Sequence, residues 1–199
     1  GQVWYNETAN TLKFQYPNLT TAGAWATGGN LNSAKQVGGS AGATNASALY
    51  FGGWNAAFTF LTETESYNGS AWTEVNDMNT ARVSMGSAGT QTSAVAAGGN
   101  NPGPTSAAES WNGTSWTNLA SLNTTRSFLA GAGVSNTSAL VFGGGQGAVP
   151  TFQAVTESWN GSSWTEVGDL NDARQGLAGN GTQTSALTYG GNTPPSTAN

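Results

Sequence analysis

The stretch TESWNGSSWTEVGDLNDAR, residues 156–174, is the third of three near-identical copies in this 199-residue chain. The earlier copies are TESYNGSAWTEVNDMNTAR at residues 64–82 and AESWNGTSWTNLASLNTTR at residues 108–126. Between copies the chain repeats a segment rich in glycine and alanine, followed by an apolar run that ends in Gly-Gly. The second glycines recur every 45 to 47 residues, at Gly53, Gly99, Gly144 and Gly191. This period predicts an array of like units, none of which buries its apolar face alone.

Each copy contains an Asn-Gly pair between two short strands. Asn-Gly is the strongest short-range signal for a two-residue hairpin turn, because both central positions of that turn need positive φ. With Asn160 and Gly161 as the turn, the two tryptophans of the hairpin lie diagonally adjacent on one face. That face is predicted to carry Glu157, Trp159, Ser162 and Trp164.

The apolar run before Gly-Gly predicts a different kind of strand. In residues 138–142, SALVF, every residue after the serine is apolar, without the alternation of a half-exposed strand. Such a run is expected of a strand that is covered on both faces. A unit therefore consists of two hairpins, or four short antiparallel strands, and we predict an all-β fold.

The order of these signals resembles the Kelch motif. An apolar run ending in Gly-Gly is followed by an aromatic residue with Asn-Gly, then by Trp, then by Leu or Met, then by Arg. The resemblance covers residues 25–191 and implies a galactose-oxidase-like β-propeller of four-stranded blades. It also implies that Gly-Gly ends the second strand and that Trp lies on the fourth. Kelch propellers commonly have more blades than the four repeats of this chain.

The first residues do not match the repeat. GQVWYNETANTLKF, residues 1–14, predicts a hairpin with strands at 3–5 and 11–14. This segment resembles one that often introduces the distal domains of bacteriophage tail fibres and related virion proteins. We therefore divide the chain into a ring-closing hairpin, a repeat region, and a closing loop or linker, at residues 1–19, 20–191 and 192–199.

The phase of the repeats predicts how a ring would be completed. Residues 22–35, AGAWATGGNLNSAK, match the end of a repeat, with Trp25 at the repeated Trp position and Lys35 in place of Arg. The N-terminal strands are predicted to complete the blade begun by residues 175–191, which gives a closed four-bladed ring. The alternatives are an open part of a larger ring and a ring completed by a second chain, as in a homo-oligomer.

Composition narrows the class of protein. Only 8% of the residues are charged while 37% are hydrophobic, and 8 are Trp, so the chain is predicted to be ordered. A net charge of −5 argues against nucleic acid as a partner. The sequence shows no apolar run long enough for membrane insertion.

Catalysis is not expected, and neither is a cofactor or a metal. The chain has no His and no Cys, so general bases would have to be carboxylates. The carboxylate pairs of the repeat, Glu74 with Asp77 and Glu166 with Asp169, occur in two units, whereas an active site would break the repeat. The copper site of galactose oxidase uses His and Tyr and therefore cannot be carried over. No loop has the clustered Asp spacing of a calcium site.

Six of the 15 charged residues belong to the repeat. A glutamate precedes each repeated arginine by 17 residues, in the pairs Glu65 and Arg82, Glu109 and Arg126, Glu157 and Arg174. We predict that each arginine is at least partly buried and bonds to blade-edge carbonyls or to a repeat glutamate. Three copies favour a structural role over catalysis.

Aromatic residues fall into a repeating and a non-repeating group. The repeating group is predicted to pack between blades and consists of Tyr67, Trp72, Trp111, Trp116, Trp159 and Trp164. Trp54, Phe58 and Phe60 do not repeat and lie in the loop after Gly53, which differs completely in the other units. Variable loops on a repeated scaffold are where such folds carry binding sites. The alternative is that these loops are ordinary solvated turns.

These loops are rich in neutral hydrogen-bonding side chains, which suit hydroxyl-bearing ligands. The predicted ligand-binding residues are Trp54, Asn55, Phe58, Asn100, Asn101, Gln146 and Asn192. We predict a non-catalytic binding module that recognises a cell-surface glycan or receptor as part of a phage or virion structural protein, at an extracellular or virion surface. The alternative is a structural or protein-interaction Kelch propeller that does not bind sugar.

Overall fold

The computed structural model of the chain describes residues 2–6, 11–15, 28–146 and 151–194. Within these ranges the secondary structure consists of β-strands joined by turns and loops. The strands are β1 (Gln2–Asn6), β2 (Thr11–Gln15), β3 (Gly39–Thr44), β4 (Ser47–Phe51), β5 (Thr64–Tyr67), β6 (Trp72–Val75), β7 (Gly86–Thr90), β8 (Ser93–Ala97), β9 (Ala108–Trp111), β10 (Trp116–Asn118), β11 (Ala130–Ser135), β12 (Ser138–Phe142), β13 (Gly145–Gln146), β14 (Thr151–Phe152), β15 (Thr156–Trp159), β16 (Trp164–Val167), β17 (Gln175–Thr182) and β18 (Ser185–Asn192). None of the described segments is a helix with the length and apolarity that crossing a bilayer requires.

The sheets follow the sequence repeat. Three four-stranded antiparallel sheets are formed by β3 to β6 (unit 1), by β7 to β10 (unit 2), and by β11, β12, β15 and β16 (unit 3). In each of them the strands lie side by side in chain order. β17 and β18 form a two-stranded sheet, unit 4, and β13 pairs with β14 inside the loop of unit 3. The predicted all-β fold of four-stranded sheets is confirmed.

The N-terminal hairpin is also confirmed, since β1 pairs with β2 from Gln2 opposite Gln15 to Asn6 opposite Thr11. Its turn and the predicted Trp25 strand lie outside the described residues, as does most of the predicted C-terminal linker. Among the described strands, β1 and β2 pair with each other and β18 pairs with β17. Completion of unit 4 by the N-terminal strands therefore stays a prediction.

The predicted two-residue Asn-Gly turn is wrong. Trp159 pairs directly with Trp164, so the turn spans residues 160–163, and Gly161 has a positive φ of 94° while Asn160 does not. The physical reason is the Asn160 side chain, whose Oδ1 accepts hydrogen bonds from the backbone N–H groups of both Ser162 and Ser163. The two tryptophan rings consequently face each other across the strands, with centroids 5.2 Å apart, rather than diagonally.

Gly-Gly directly follows the second strand in units 1 to 3, as the resemblance implied, whereas in unit 4 it lies inside β18. In unit 2, Gly98 and Gly99 have φ values of 63° and 102°, which glycine adopts without a steric penalty. A Cβ at Gly99 would lie 2.6 Å from the carbonyl oxygen of Val83. Because glycine has no Cβ, the backbone at Gly99 can come this close to Val83 and turn away from the second strand. In this position Gly99 N–H donates to Arg126 O at 2.9 Å.

The first strands of the four units lie next to one another, in the order β3, β7, β11 and β17. Backbone hydrogen bonds join the units near the start of these strands. They run from Ser84 N–H to Val37 O, from Phe128 N–H to Ser84 O, and from Gly176 N–H to Phe128 O, at 2.8 to 3.0 Å. All four of these residues have φ between 54° and 65°. The left-handed backbone at this repeated position turns each connection into the next first strand.

The hydrophobic core lies between neighbouring units. One cluster joins Phe51 and Met78 of unit 1 to Trp111 and Trp116 of unit 2, and the Phe51 and Trp116 ring centroids are 4.8 Å apart. A second cluster joins residues of unit 2 in the same way to Trp159 and Trp164 of unit 3. Packing between units is thus confirmed for Trp111, Trp116, Trp159 and Trp164, whereas Tyr67 and Trp72 contact each other and are only partly buried. Each sheet buries its apolar face only because a neighbour covers it.

Candidate functional site

The repeated arginines join successive units. The Arg82 side chain is fully buried, and its Nη2 lies 2.8 Å from Glu109 Oε1 on the third strand of the next unit. Its Nη1 donates hydrogen bonds to the carbonyl oxygens of Gly98 and Ala107. Arg126 repeats this arrangement with Glu157 at 3.0 Å. The predicted burial and bonding of these arginines are confirmed, and each glutamate partner belongs to the following unit.

Lys35 takes the arginine position at the unit 1 joint. Its buried Nζ lies 2.8 Å from Glu65 Oε1, and Glu65 also accepts a hydrogen bond from the backbone N–H of Asn32 at 2.7 Å. Burial alone would raise the pKa of Glu65, but the hydrogen bond and charge of Lys35 and the backbone donors together lower it. Burial lowers the pKa of Arg82 and Arg126, and their glutamates counteract this effect. These joints are charge-paired, so they stabilise the framework.

The non-repeating aromatic residues form one cluster on the loop between β4 and β5. The Trp54 ring lies edge-to-face against Phe58, with centroids 5.5 Å apart, and against Phe60, with centroids 6.0 Å apart. Backbone bridges hold Trp54 to Gln36 on one side and to Phe60 on the other. The base of the loop is therefore fixed by pairing with both neighbouring segments.

Asn55 shapes the tip of this loop. Its Oδ1 accepts hydrogen bonds from the N–H groups of Ala57 and Thr59, at 3.0 and 3.1 Å. Phe58 N–H donates to Asn55 O, and Phe58 has a φ of 58°, an uncommon backbone conformation for an aromatic residue. The result is a phenyl ring that is 67% exposed at the end of a tightly bonded loop. The predicted ligand residue Asn55 thus positions the loop with its carbonyl oxygens.

A small cavity lies beside Trp54. It has a volume of about 230 Å³ and is lined by residues of this loop and of the preceding connection, among them Lys35, Gln36, Trp54 and Asn55. The indole Nε1 of Trp54 is buried and has no hydrogen-bond acceptor in the described part of the chain. A buried donor without a partner is uncommon in folded proteins and often marks a position where a ligand or water supplies the acceptor.

The other predicted ligand residues occupy the matching position of later units. Asn100 pairs with Val83 just after Gly-Gly, Gln146 lies in β13, and Asn192 ends β18. Asn101 and Gln146 are exposed, whereas the Oδ1 of Asn100 is buried and unpaired among the described residues. All these residues lie at or shortly after the end of the second strand of their unit. Of the predicted ligand residues, Trp54 and Asn55 line the cavity beside Trp54. Those of the later loops do not line it.

Sequence reasoning missed a larger cavity formed by the first strands. Its volume is about 540 Å³, and it is lined by residues from all four units, including Gly42, Gly89, Gly133 and Gly181. The lining residues are mostly Gly, Ala, Ser and Thr, so much of the surface is backbone. The repeated glycine-alanine segment was the available signal, because a run of small residues leaves space wherever such strands converge.

The carboxylates of the repeat do not assemble into a metal site. Asp169 Oδ1 accepts a hydrogen bond from Thr156 N–H at 3.2 Å, and Asp77 accepts one from Thr62 at 3.3 Å. Within the described ranges, no group of three or more acidic side chains could hold a metal ion together. Asp169 thus anchors the start of the third strand of unit 3, and Asp77 anchors the segment before the third strand of unit 1.

Comparison with known proteins gives no assignment. No protein-family model matches the chain, and no curated protein is similar to it at a significant level. A function for this chain is accordingly argued from its residues and their geometry.

Proposed function

We propose that this chain is a non-catalytic binding module of Kelch-like β-propeller architecture that recognises glycans at a host surface. The observation that carries the proposal is the Trp54, Phe58 and Phe60 cluster on a loop that does not repeat, in which Phe58 is exposed and Trp54 and Phe60 are partly exposed. The repeated tryptophans of units 2 and 3 pack between units, whereas the Trp54 cluster lies outside these hydrophobic clusters.

The propeller architecture is supported by the arrangement of the sheets. In this proposal each four-stranded sheet is a blade, and β3, β7, β11 and β17 are the innermost strands around the large cavity. The chain of backbone bonds from Val37 through Ser84 and Phe128 to Gly176 then follows the inner rim. Side-by-side first strands and outer hairpins at the periphery are the radial repetition typical of propellers.

A sugar fits the chemistry of the loop. One face of a pyranose ring is made of C–H groups that pack on an aromatic surface, while its hydroxyl edge needs neutral donors and acceptors. Phe58 and Trp54 offer the apolar surface, and the unpaired indole N–H of Trp54 together with Gln36 offers polar groups beside the small cavity. The shallow contact area favours weak binding, which several copies on one particle would strengthen by avidity.

Placement on a virion or tail rests on the resemblance of the N-terminal segment to those of tail-fibre proteins. An extracellular or virion-surface location follows from that placement and is part of the same proposal. The second candidate function, a structural or protein-interaction propeller, is favoured by one specific observation: the outer edge of β18 carries no paired strand among the described residues.

A glycan array separates the two functions. We expect the full chain to bind a subset of glycans, and Trp54→Ala and Phe58→Ala each to abolish that binding. Phe128→Ala is the matched control, because Phe128 is also an exposed phenylalanine with positive φ but lies outside the cluster. Silence of the wild-type chain across the array, or binding unaffected by both loop variants, would contradict the glycan proposal.

A further inference from the structure

Unit 4 exposes side chains that its sister units bury. Leu187 and Tyr189 on β18 are 67% and 52% exposed, whereas the equivalent Leu49 and Phe51 of unit 1 are 0% exposed. In units 1 to 3 the second strand is bonded to an outer hairpin, and in unit 4 no described strand occupies that edge. An apolar strand with a free edge is a template for pairing with another strand.

The arginine at this edge lacks the partner that its equivalents have. Arg174 Nη1 donates to Gly190 O at 2.9 Å, as Arg82 and Arg126 do to the matching glycine carbonyls. Arg82 and Arg126 also bind a buried glutamate on the next unit. Among the described residues, the carboxylate nearest to Arg174 is that of Asp172, at 3.6 Å and 71% exposed. The guanidinium is thus placed for a third-strand glutamate of unit 4.

A pocket beside β18 has the lining that holds a tryptophan elsewhere. Between units 1 and 2, Trp116 packs on Phe51 and donates its indole N–H to Thr64 Oγ1 at 3.0 Å. The residues of unit 3 that correspond to Phe51, Thr64 and Met78 are Phe142, Thr156 and Leu170. These three line an open pocket of about 200 Å³, together with residues of unit 4. Thr156 Oγ1 is buried and has no hydrogen-bond partner in the described ranges.

We propose that the β18 edge docks a β-hairpin of the same repeat type. The first strand of this hairpin pairs with β18 and carries a glutamate for Arg174. Its second strand carries a tryptophan, which fills the pocket of Phe142, Thr156 and Leu170 and donates its indole N–H to the Thr156 hydroxyl. This is strand addition to an exposed sheet edge, in which backbone bonds give affinity and the two side chains give specificity.

The outer hairpins that the structure describes are not available for this edge. The three outer hairpins that carry Glu65, Glu109 and Glu157 are already paired with β4, β8 and β12. In each of them the glutamate precedes the tryptophan by seven residues, and the residue seven positions before Trp25 is Asn18. An N-terminal segment aligned through Trp25 would therefore leave the Arg174 guanidinium without a carboxylate. We therefore assign the occupant to a partner polypeptide whose hairpin carries this glutamate and tryptophan, in place of the N-terminal strands that the repeat phase predicts for this edge.

The test uses the full chain and a synthetic peptide with the sequence of residues 156–167, TESWNGSSWTEV. Binding is measured by calorimetry, and hydrogen exchange of the amides of Ser185–Asn192 reports where the peptide docks. We expect saturable binding that slows exchange along β18. Peptides carrying E157Q or W164A, and the protein variant Arg174→Ala, should each bind about tenfold more weakly or worse.

The control protein is Asp172→Ala, which removes the exposed carboxylate near Arg174 and should bind the peptide at least as well as the wild type. Absence of peptide binding would overturn the proposal, and β18 amides already protected in the free chain would identify an internal segment as the occupant. Binding that ignores E157Q, W164A and Arg174→Ala alike would overturn it as well. None of these readings depends on whether the aromatic loop binds sugar.

Discussion

The buried charges among the described residues form one ion pair per joint, and at two joints the cation is an arginine. Arg126 bonds to two carbonyl oxygens and to Glu157, all contributed by unit 3, although its own backbone precedes that unit. The sequence predicted the burial of such arginines from their repetition. It could not predict that the partner is the glutamate of the following unit, because the constant spacing links each arginine to the glutamate of its own copy instead.

Truncating Arg126 should destabilise the folded chain. We expect Arg126→Ala to lower the free energy of unfolding by about 3 kcal/mol, because Glu157 would be left buried without its counter-charge. Chemical denaturation measures the loss. Arg174→Ala is the control and should cost much less, since Arg174 is partly exposed and lacks a buried glutamate. An unfolding midpoint for Arg126→Ala equal to that of the wild type would refute the buried pair.

At the scale of strands and their contacts, the threonine hydroxyl at one position of the repeat has two different environments. Thr64 accepts the indole N–H of Trp116, whereas the equivalent Thr156 has no partner among the described residues. The two threonines occupy the same position of the repeat. They differ because, among the described residues, no outer hairpin of unit 4 lies next to unit 3, and no local sequence feature predicts this difference.

This difference gives a matched pair of substitutions. Thr64→Val should destabilise the chain by about 1 to 3 kcal/mol, because the buried indole N–H of Trp116 loses its acceptor. Thr156→Val should be neutral or slightly stabilising in the free chain, because it removes a hydroxyl that is buried without a partner. Thermal unfolding of the two variants checks this. Equal destabilisation by both would mean that Thr156 has a hydrogen-bond partner in solution.

The hairpin turn shows how element-level prediction fails locally. Asn-Gly correctly located the turns of the outer hairpins, but its usual two-residue geometry was wrong here. The Asn160 side chain satisfies two backbone donors inside a longer turn, and this places Trp159 opposite Trp164 for contact with the neighbouring unit. Packing of large rings between units outweighs the preference of the isolated turn.

At the scale of the whole molecule, the repeat period was sufficient to predict strands, sheets and the location of the core. The aromatic loop was also accessible from sequence, because Trp54, Phe58 and Phe60 stand out as residues that do not repeat. The large cavity and the pocket beside β18 could not be predicted from the sequence, because both depend on how the units lie against each other. Among the described residues, unit 4 differs from the others because no outer hairpin is paired with its second strand.

Hydrogen exchange along the second strands tests this account most directly. Among the described strands, β12 is bonded on both edges, while β18 is bonded along one edge to β17. The account predicts slow exchange for all of Ser138–Phe142 and, in Ser185–Asn192, an alternation of slow and fast amides, the fast ones pointing away from β17. Uniform protection of β18 equal to that of β12 would contradict it, because unit 4 would then already be a complete sheet.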